Sequence, residues 1–401
     1  MLLTVSKRVD FSASRRLFSE KFSPEENRRL FGAESAARYG TGRNYAAYFI
    51  FSGAPDPATG MLINISEIKE RASAIINDRY DHRFLNEDNE SFREVAPTVE
   101  NVARQLLLDL APLFRDNPAQ LVAVHLRETP ERSATAYRDR AIEANYWFEF
   151  SAARRTRSPR LSDAENQHLF GVSTHEHGHN YRARLTLCRR DASQCPILSE
   201  QQMSDFIGSM RHQLDHKNLS RESEAFRDRP TTTESLARFL LQAGSNLEHL
   251  VRVRLHERDD FFAEAWRDDQ VFLGMRRCFS AAHRLHLLAF SAEKNAELFG
   301  KCNNPRGHGH WYVTESTIGG DYDPRTGALF GFGQMRDAID QCLDSWRDKH
   351  LDLETEEFRD RPSTGENIVR ALWSKLDKSL DYKLVRLRLW ETDNNRFTLR
   401  R

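Results

Sequence analysis

The sequence predicts an α+β protein in which one domain occurs three times in tandem. Three segments of the form Phe-Ser-Ala occur, at 11–17, 150–155 and 279–285. Each segment is followed by a Leu-Phe-Gly tripeptide, at 30–32, 169–171 and 298–300. The period of roughly 130 residues is that of an ordinary domain rather than of a solenoid repeat. We therefore expect copy one at 1–138, copy two at 139–268 and copy three at 269–401.

The copies carry further landmarks in a common order. Copies one and two contain an Asp-His pair, namely Asp81-His82 and Asp215-His216. Every copy has a Thr-x-Glu pair, namely Thr98/Glu100, Thr232/Glu234 and Thr364/Glu366. Every copy closes with a β-like run and a glutamate, namely Glu128, Glu257 and Glu391. The shared order indicates one fold repeated three times.

Local patterns within copy one predict both strands and helices. The segment that starts at Phe11 alternates in character, which is typical of a strand. Ser23 precedes Pro24 and two acidic residues, so it predicts the start of a helix. Helical spacing of apolar residues extends over 65–77 and over 99–110.

A hairpin is predicted between the second strand and the first long helix. Residues 44–52 alternate as a strand, 56–60 form an Asp-Pro-x-Thr-Gly turn, and 61–65 are expected to return as a strand. Copy three repeats the turn at 323–327, whereas 191–196 take its place in copy two.

Composition narrows the class of protein. The 401 residues contain 59 Lys and Arg and 59 Asp and Glu, so the formal net charge is zero and gives no reason to expect binding to nucleic acid or to a membrane. The first ten residues lack the apolar core of a signal peptide, and no apolar run approaches the ~18 residues of a spanning helix. Five cysteines without a Cys-x-x-Cys motif predict a reduced, cytoplasmic protein.

Copy three contains residues suited to metal chemistry. His308 and His310 are two apart and would share one face of a strand, and His283 lies on the preceding strand. Three imidazoles with an open fourth position are typical of catalytic zinc, and the lack of carboxylates in the motif disfavours calcium or magnesium. Cys302 could act as a base if a nearby dication favours its thiolate. The alternative is a glycine-containing turn with surface histidines and an inert cysteine.

The run Gly300–His310, Gly-Lys-Cys-Asn-Asn-Pro-Arg-Gly-His-Gly-His, resembles the 6-pyruvoyltetrahydropterin synthase / 6-carboxytetrahydropterin synthase family. Weaker copies of the family pattern cover nearly the whole chain. The resemblance implies a T-fold in each copy, which is an antiparallel four-stranded sheet with helices on one face. Family members form trimers that close into a twelve-stranded barrel, so here the three copies would close into a pseudo-trimer. The implied substrate is 7,8-dihydroneopterin triphosphate.

The resemblance also implies roles for individual residues of copy three. His283, His308 and His310 would hold zinc, and the metal would grip the hydroxyls of the substrate side chain. Cys302 would remove a proton from the substrate. Glu391 would bind the pterin ring, with Thr364 beside it.

No single copy carries the complete family pattern. Copy one has Arg15 at the first ligand position and no matching Cys, but it keeps Asp81, His82, Thr98 and Glu128. Copy two keeps His177 and His179 but has Arg154 at the first ligand position; it also keeps Asp215, His216 and Glu257. Copy three has Arg347-Asp348 where the Asp-His relay would stand.

These complementary losses suggest one composite site in which copy three supplies the metal ligands and Cys302. A neighbour would supply Asp81-His82 or Asp215-His216, and the sequence leaves the choice open. Copy two is expected to bind no metal, because Arg154 would repel a cation.

Three functions fit these patterns. The first is a lyase that releases triphosphate and forms a pyruvoyl or a carboxy product. The second is an inactive pterin- or purine-binding protein, and the third is a zinc hydrolase of a related nucleotide. The expected partner is a small pterin triphosphate, and stacking of two pseudo-trimers into a homodimer is left open.

Overall fold

The computed structural model describes residues 1–190 and 195–401, so most of the segment that replaces the Asp-Pro-x-Thr-Gly turn in copy two lies outside the described residues. Copy one contains β1 (Leu2–Arg15), α1 (Pro24–Phe31), β2 (Thr41–Ser52), α2 (Ile65–Arg79), β3 (Arg83–Phe84), α3 (Leu85–Asp88), α4 (Val99–Leu110), β4 (Gln120–Arg127) and β5 (Arg132–Tyr137). Copy two contains β6 (Ile142–Arg154), α5 (Asp163–Phe170), β7 (His177–Arg189), α6 (Glu200–Leu214), β8 (Lys217–Asn218), α7 (Thr233–Ala243), β9 (Leu250–Arg258) and β10 (Phe261–Trp266). Copy three contains β11 (Val271–His283), α8 (Ala292–Phe299), β12 (His308–Gly320), α9 (Phe332–Asp344), β13 (Lys349–His350), α10 (Leu351–Glu354), α11 (Gly365–Ser379), β14 (Leu384–Thr392) and β15 (Asn395–Arg400).

Twelve long strands form one closed antiparallel barrel. Their order is β1-β2-β4-β5-β6-β7-β9-β10-β11-β12-β14-β15, and β15 pairs back onto β1. Each copy contributes four consecutive strands, so the predicted fold of three T-fold domains closing into a pseudo-trimer is confirmed. The ring closes where Leu3 lies opposite Leu399 and Val5 lies opposite Phe397.

The long helices cover one face of this sheet. Helix α4 packs on β4 and β5, α7 packs on β9 and β10, and α11 packs on β14 and β15. Alternate strand residues such as Leu387 and Leu389 are fully buried beneath them. None of the helices in the described part of the chain combines the length and apolar character that crossing a bilayer requires.

Most of the predicted elements of copy one are confirmed. The Phe-Ser-Ala segment lies in β1, Ser23 caps α1, and α4 spans the predicted residues 99–110. The predicted return strand at 61–65 is wrong, because α2 begins at Ile65 and the preceding residues pair with no strand.

The apolar run at 61–65 serves a contact between copies instead. Leu62 and Ile63 are buried, and the Leu62 amide donates a hydrogen bond to Glu366 Oε1 of copy three at 2.9 Å. A short apolar run therefore fills an interface rather than extending the sheet.

The same contact recurs between every pair of neighbouring copies. Glu100 of copy one accepts a hydrogen bond from the Ile197 amide of copy two at 3.2 Å, and Glu234 of copy two accepts one from the Leu329 amide of copy three at 3.1 Å. Burial raises the pKa of Glu234 and of Glu366 to about 7 in each case. These glutamates connect the start of α4, α7 and α11 to the next copy around the ring.

The strand that closes the ring packs tightly against the first residue of α11. A Cβ atom added at Gly365 would lie 2.1 Å from the Phe397 ring of β15. We expect Gly365→Ala to lower the free energy of unfolding by about 1–3 kcal/mol, because the buried ring has to move. The midpoint of urea unfolding measures this loss.

Gly208→Ala is the matched control for this substitution. Gly208 also lies in a helix, α6, but no heavy atom lies within 4 Å of the added Cβ. Removing a helical glycine should stabilise the protein by about 0.5–1 kcal/mol. Equal midpoints for the two variants would contradict the close packing at the ring closure.

Candidate metal and catalytic site

Strands β11 and β12 bring the three predicted metal ligands together. Their register places His283 opposite His308 and Ala281 opposite His310. His308 and His310 are two residues apart on one strand and therefore share a face. One ring nitrogen from each of the three histidines lies within 4.8 Å of the others, and His283 Nε2 lies 3.1 Å from His308 Nε2.

Hydrogen bonding prepares His283 to act as a ligand. Its Nδ1 lies 3.1 Å from the Ser363 carbonyl oxygen, so donation of the Nδ1 proton leaves Nε2 as a bare acceptor. Burial, together with the neighbouring His308, lowers the pKa of His283 to about 4. The ring is therefore neutral near pH 7, which is the form that binds metals.

The donor set fits a zinc ion. His310 Nε2 is buried and has no hydrogen-bond partner, although buried polar atoms are normally paired. Three converging imidazole nitrogens with room for a further ligand match catalytic zinc better than calcium or magnesium, which prefer oxygen.

Glu391 lies at the end of β14, beside the histidines. Its Oε1 is 3.8 Å from both His283 Nε2 and His310 Nε2. Its Oε2 accepts a hydrogen bond from Asn395 Nδ2 at 3.1 Å, and Asn395 Oδ1 accepts one from Lys7 Nζ of copy one at 2.8 Å. Sequence reasoning missed Lys7 and Asn395, because only the β15–β1 pairing brings copy one to this carboxylate.

Cys302 lies on the 3₁₀-helix Gly300–Asn303 that precedes β12. Its carbonyl oxygen accepts a hydrogen bond from the Leu285 amide at 2.9 Å, which fixes the loop beside the end of β11. Burial, and then the charge of Glu391, raises the pKa of the Cys302 thiol. A role as base would therefore need a nearby cation that favours the thiolate.

The Thr-x-Glu pairs lie at helix starts. Thr364 Oγ1 caps α11 by accepting a hydrogen bond from the Asn367 amide at 3.4 Å, and Thr98 and Thr232 cap α4 and α7 in the same way. The hydroxyl of Thr364 therefore already caps a helix.

Buried arginines occupy the first ligand position in the other two copies. Arg15 Nη2 of copy one lies 2.6 Å from Glu128 Oε1. Arg154 of copy two forms an ion pair with Glu257 and donates a hydrogen bond to Thr233 at 3.0 Å. The two glutamates at the place of Glu391 are therefore already paired with a guanidinium group.

Copy two still contains a group of potential ligands. Atoms of His177, His179 and Glu257 lie within 4.8 Å of one another, and His179 Nε2 is 3.0 Å from Glu257 Oε1. Arg154 lowers the pKa of Glu257 strongly despite its burial. A cation here would compete with that guanidinium group, so the absence of metal from copy two stays a prediction.

The two Asp-His pairs have nearly identical surroundings. Asp81 Oδ1 accepts a hydrogen bond from the Ser12 amide at 2.8 Å, and its Oδ2 lies 2.8 Å from His82 Nδ1. The Ser12 bond, with His82, lowers the pKa of Asp81.

Copy two repeats this arrangement, with 2.8 Å from the Ser151 amide to Asp215 Oδ1 and 3.0 Å from His216 Nδ1 to Asp215 Oδ2. In copy three, Asp348 takes the position of the histidine, with a similar positive φ of 59°.

Strand order determines which pair lies next to which ligands. From β12 the ring continues through β14 and β15 to β1 of copy one. β14 pairs with β12 only from Val313 onward, and β15 pairs with β1 only as far as Lys7. Beyond these points a cleft about three strand spacings wide, ~14 Å, separates the start of β12 from the end of β1.

Copy one presents its Asp-His pair on the side of this cleft. β3 follows His82 and pairs with β1 at Ala13 and Ser14, on the edge that β15 leaves free. By the same order, Asp215-His216 borders the cleft of copy one, and Arg347-Asp348 borders that of copy two.

Comparisons with known proteins agree with the tandem architecture. The family model described as 6-pyruvoyl tetrahydropterin synthase matches three times, at 4–139, 143–268 and 273–401. The human 6-pyruvoyl tetrahydrobiopterin synthase is 42% identical over 131 residues, which are 31% of this chain and 88% of the relative. The Drosophila melanogaster enzyme of that name is 39% identical over 127 residues, covering 31% of this chain and 76% of its own.

The structure of Caenorhabditis elegans 6-pyruvoyl tetrahydropterin synthase is 34% identical and covers 33% of this chain and 96% of its own, with a TM-score of 0.32.

The ion pair in copy two predicts a pH-dependent loss of stability. Arg154→Met would leave the largely buried Glu257 without its cation and cost about 3–5 kcal/mol at pH 7. In the wild type, the lowered pKa of Glu257 keeps this pair intact until the pH falls far below the usual range of a carboxyl group. In the variant, burial still raises that pKa, and only the contacts with His179 and Thr233 remain to lower it, so Glu257 protonates at a higher pH than in the wild type and the deficit narrows as the pH falls from 7 towards 4.5.

Urea unfolding at pH 7 and pH 5 measures this deficit. The control is the double variant Arg154→Met/Glu257→Gln, which removes both charges and should recover much of the stability. If the loss of stability of Arg154→Met is the same at both pH values, the missing guanidinium group matters only for packing.

Proposed function

The chain belongs to the 6-pyruvoyl tetrahydropterin synthase family, and from this membership we propose that it is a zinc-dependent lyase acting on 7,8-dihydroneopterin triphosphate. The product would be a 6-pyruvoyl- or 6-carboxy-tetrahydropterin, with release of triphosphate. The observation that carries the proposal is the convergence of His283, His308 and His310 beside a glutamate that no arginine neutralises. Of the three copies, only copy three combines these features among the described residues.

Zinc would be held by the three imidazole nitrogens of copy three. Bound there, the ion supplies Lewis acidity, which polarises substrate hydroxyls and favours loss of the adjacent proton. The bare Nε2 of His283 and the unpartnered Nε2 of His310 support this assignment. Nitrogen ligands without a carboxylate in the motif suit zinc.

Residues of the chain itself would bind the substrate and move its protons. Glu391 would accept N–H donors of the pterin ring, with Asn395 and Lys7 fixing the orientation of its carboxylate. Cys302 would take the proton from the substrate carbon, once the positive charge of the site favours its thiolate. His82, oriented by the ionised Asp81, would pass protons at the opposite wall of the cleft.

The site would be composite, and copy one would be the neighbour that completes it. β1 is the strand that follows β14 and β15 around the ring, and β3 lies on the edge of β1 that faces the cleft. The Leu62–Glu366 contact fixes the same two copies against each other. Asp215-His216 borders a cleft in which Arg15 and Glu128 are already paired.

The alternative function is an inactive pterin-binding protein, because copy three has Arg347-Asp348 in place of an Asp-His pair. An Asp-His pair supplied by copy one removes the main reason to prefer it. Incubation with the triphosphate substrate separates the two functions, because a binding protein would retain the substrate without releasing triphosphate. Mass spectrometry of the product then distinguishes the pyruvoyl from the carboxy reaction.

Metal analysis tests the proposed zinc site directly. We expect one zinc per chain in the purified protein, because among the described residues only copy three offers three converging imidazoles, and His308→Ala should reduce this to nearly none. Elemental mass spectrometry gives the ratio. His177→Ala is the matched control from copy two and should leave it at one, whereas three zinc ions per chain would contradict an arginine-filled site in copies one and two.

The two Asp-His pairs offer a matched test of the composite site. His82 and His216 share a φ of 55°, and their side chains are both 83% exposed. His82→Ala should lower the turnover rate by about 10²–10⁴-fold, the usual contribution of a positioned proton-transfer group. His216→Ala should leave turnover unchanged. The reverse result would assign the relay to copy two, and no effect of either variant would end the composite-site proposal.

A further inference from the structure

The inner face of the barrel carries charged side chains that meet across its bore. Arg386 of β14 and Glu264 of β10 are three strands apart in the ring, yet their side chains are 3.5 Å apart. Arg254 of β9 lies 3.7 Å from Glu315 of β12, which is also three strands away. Such contacts require that all four side chains point into the concave interior, because adjacent strands are separated by ~4.8 Å.

Positive charge in this bore exceeds negative charge. Within the described residues, two buried carboxylates, Glu264 and Glu315, form ion pairs with five arginines. The arginines are Arg184, Arg254, Arg276, Arg386 and Arg388. Arg396 of β15 also faces inward, because it lies two residues from Thr398, which is the cross-strand partner of Arg388. Arg396 forms no ion pair in the part of the chain that the structure describes. Arg252, which is paired with Glu143, and Arg400, which lies opposite Arg386, face the same way, so guanidinium groups outnumber carboxylates on this face.

Four of these guanidinium groups have an Nε–H donor that lacks a hydrogen-bond partner within the described residues. The Nε atoms of Arg184, Arg386, Arg388 and Arg396 are buried and unpaired. Unpaired buried donors are rare in folded proteins, and each one normally indicates a partner such as water or an ion. Water or a ligand can reach this region, because the side chains of Arg386 and Arg388 are 13% and 17% exposed.

The charges repel one another strongly enough to affect their neighbours. Burial, and then Arg396, Arg184 and Arg388, lowers the pKa of His125 to about 3. Burial and the nearby Arg254 outweigh Glu264 and lower the pKa of Arg386 to about 10. Arg184, Arg388 and Arg396 therefore act on one volume of the bore, next to His125 on β4.

We propose that the bore binds a multiply charged phosphate-type anion, held by Arg184, Arg388 and Arg396. Guanidinium groups bind phosphate oxygens through paired N–H donors, and an anion with several charges matches an excess of positive charge. The charged walls of a narrow, partly desolvated channel also concentrate anions from solution.

This site is separate from the cleft with the histidines. On β14, Leu387, Leu389 and Glu391 point to the face that bears the helices, whereas Arg386 and Arg388 alternate to the inner face. The proposal is therefore independent of the proposed lyase activity, although triphosphate would be the product of that activity.

Titration calorimetry with inorganic tripolyphosphate tests the site in the full chain. After exhaustive dialysis we expect saturable binding of one tripolyphosphate per chain, in chloride buffer of matched ionic strength. Arg396→Gln and Arg184→Gln should each weaken binding at least tenfold. The control variants Arg227→Gln, an exposed arginine in a surface ion pair, and His308→Ala should bind as the wild type does.

The outcomes separate the bore from the catalytic cleft. Loss of binding in His308→Ala, with normal binding in Arg396→Gln, would place tripolyphosphate in the cleft and overturn the proposal. Absence of saturable binding to the wild type, or equal binding in the bore variants and the controls, would overturn it as well.

Thermal unfolding without the anion provides a second readout that does not depend on affinity. Because Arg396→Gln relieves repulsion, its midpoint at low salt should lie above that of the wild type, and the same concentration of tripolyphosphate should raise the wild-type midpoint more than that of the variant. If the variant without anion instead has a lower midpoint than the wild type, the arginines stabilise the bore even without an anion. That result would contradict an unfilled anion site.

Discussion

The pairing of the first strand with the last, β1 with β15, is the interaction on which the rest of this structure depends. Without it the chain would be an open sheet with two free edges, and free edges promote association with other chains. With it, the start of copy one lies beside the end of copy three. The contact that brings Lys7 towards Glu391 and the contact of Leu62 with Glu366 both follow from this closure.

The second constraint is a largely buried carboxylate at the same place in every copy, namely Glu128, Glu257 and Glu391. A carboxylate removed from water needs a cation or several hydrogen bonds to remain charged. Arg15 and Arg154 provide that cation within the chain in copies one and two. In copy three His283 replaces the arginine, so Glu391 has no guanidinium partner among the described residues. The same substitution that adds a third histidine beside His308 and His310 thus also leaves this carboxylate without an arginine.

Much of the fold was predictable from the sequence, because it depends on local patterns. The alternation after Phe11 and the Ser23 cap specify a strand and a helix start without reference to the rest of the chain. The His308 and His310 pair similarly predicts a shared face from strand periodicity alone.

Features that depend on strand order were not predictable in this way. The sequence left open whether Asp81 or Asp215 serves copy three, because only the order of strands around the ring relates them to β12. The segment at 61–65 was predicted as a strand, since a short apolar run after a turn looks the same whether it pairs in a sheet or fills an interface. The arginine excess of the bore was hidden, because a chain with equal numbers of acidic and basic residues gives no sign that the charges are separated between surfaces.

The three clefts of the ring differ because each one is built from two copies. The cleft between copies one and two keeps an Asp-His pair but has an arginine and no matching Cys on the other wall. The cleft between copies two and three keeps two histidines but faces Arg347 and Asp348. A retained residue is therefore not by itself a sign of activity: Asp215 bonds the Ser151 amide and fixes the end of α6 to β6 whether or not chemistry takes place nearby. Within the described residues, only the cleft between copies three and one has three converging histidines on one wall and an Asp-His pair on the other, and this combination distinguishes it from the other two clefts.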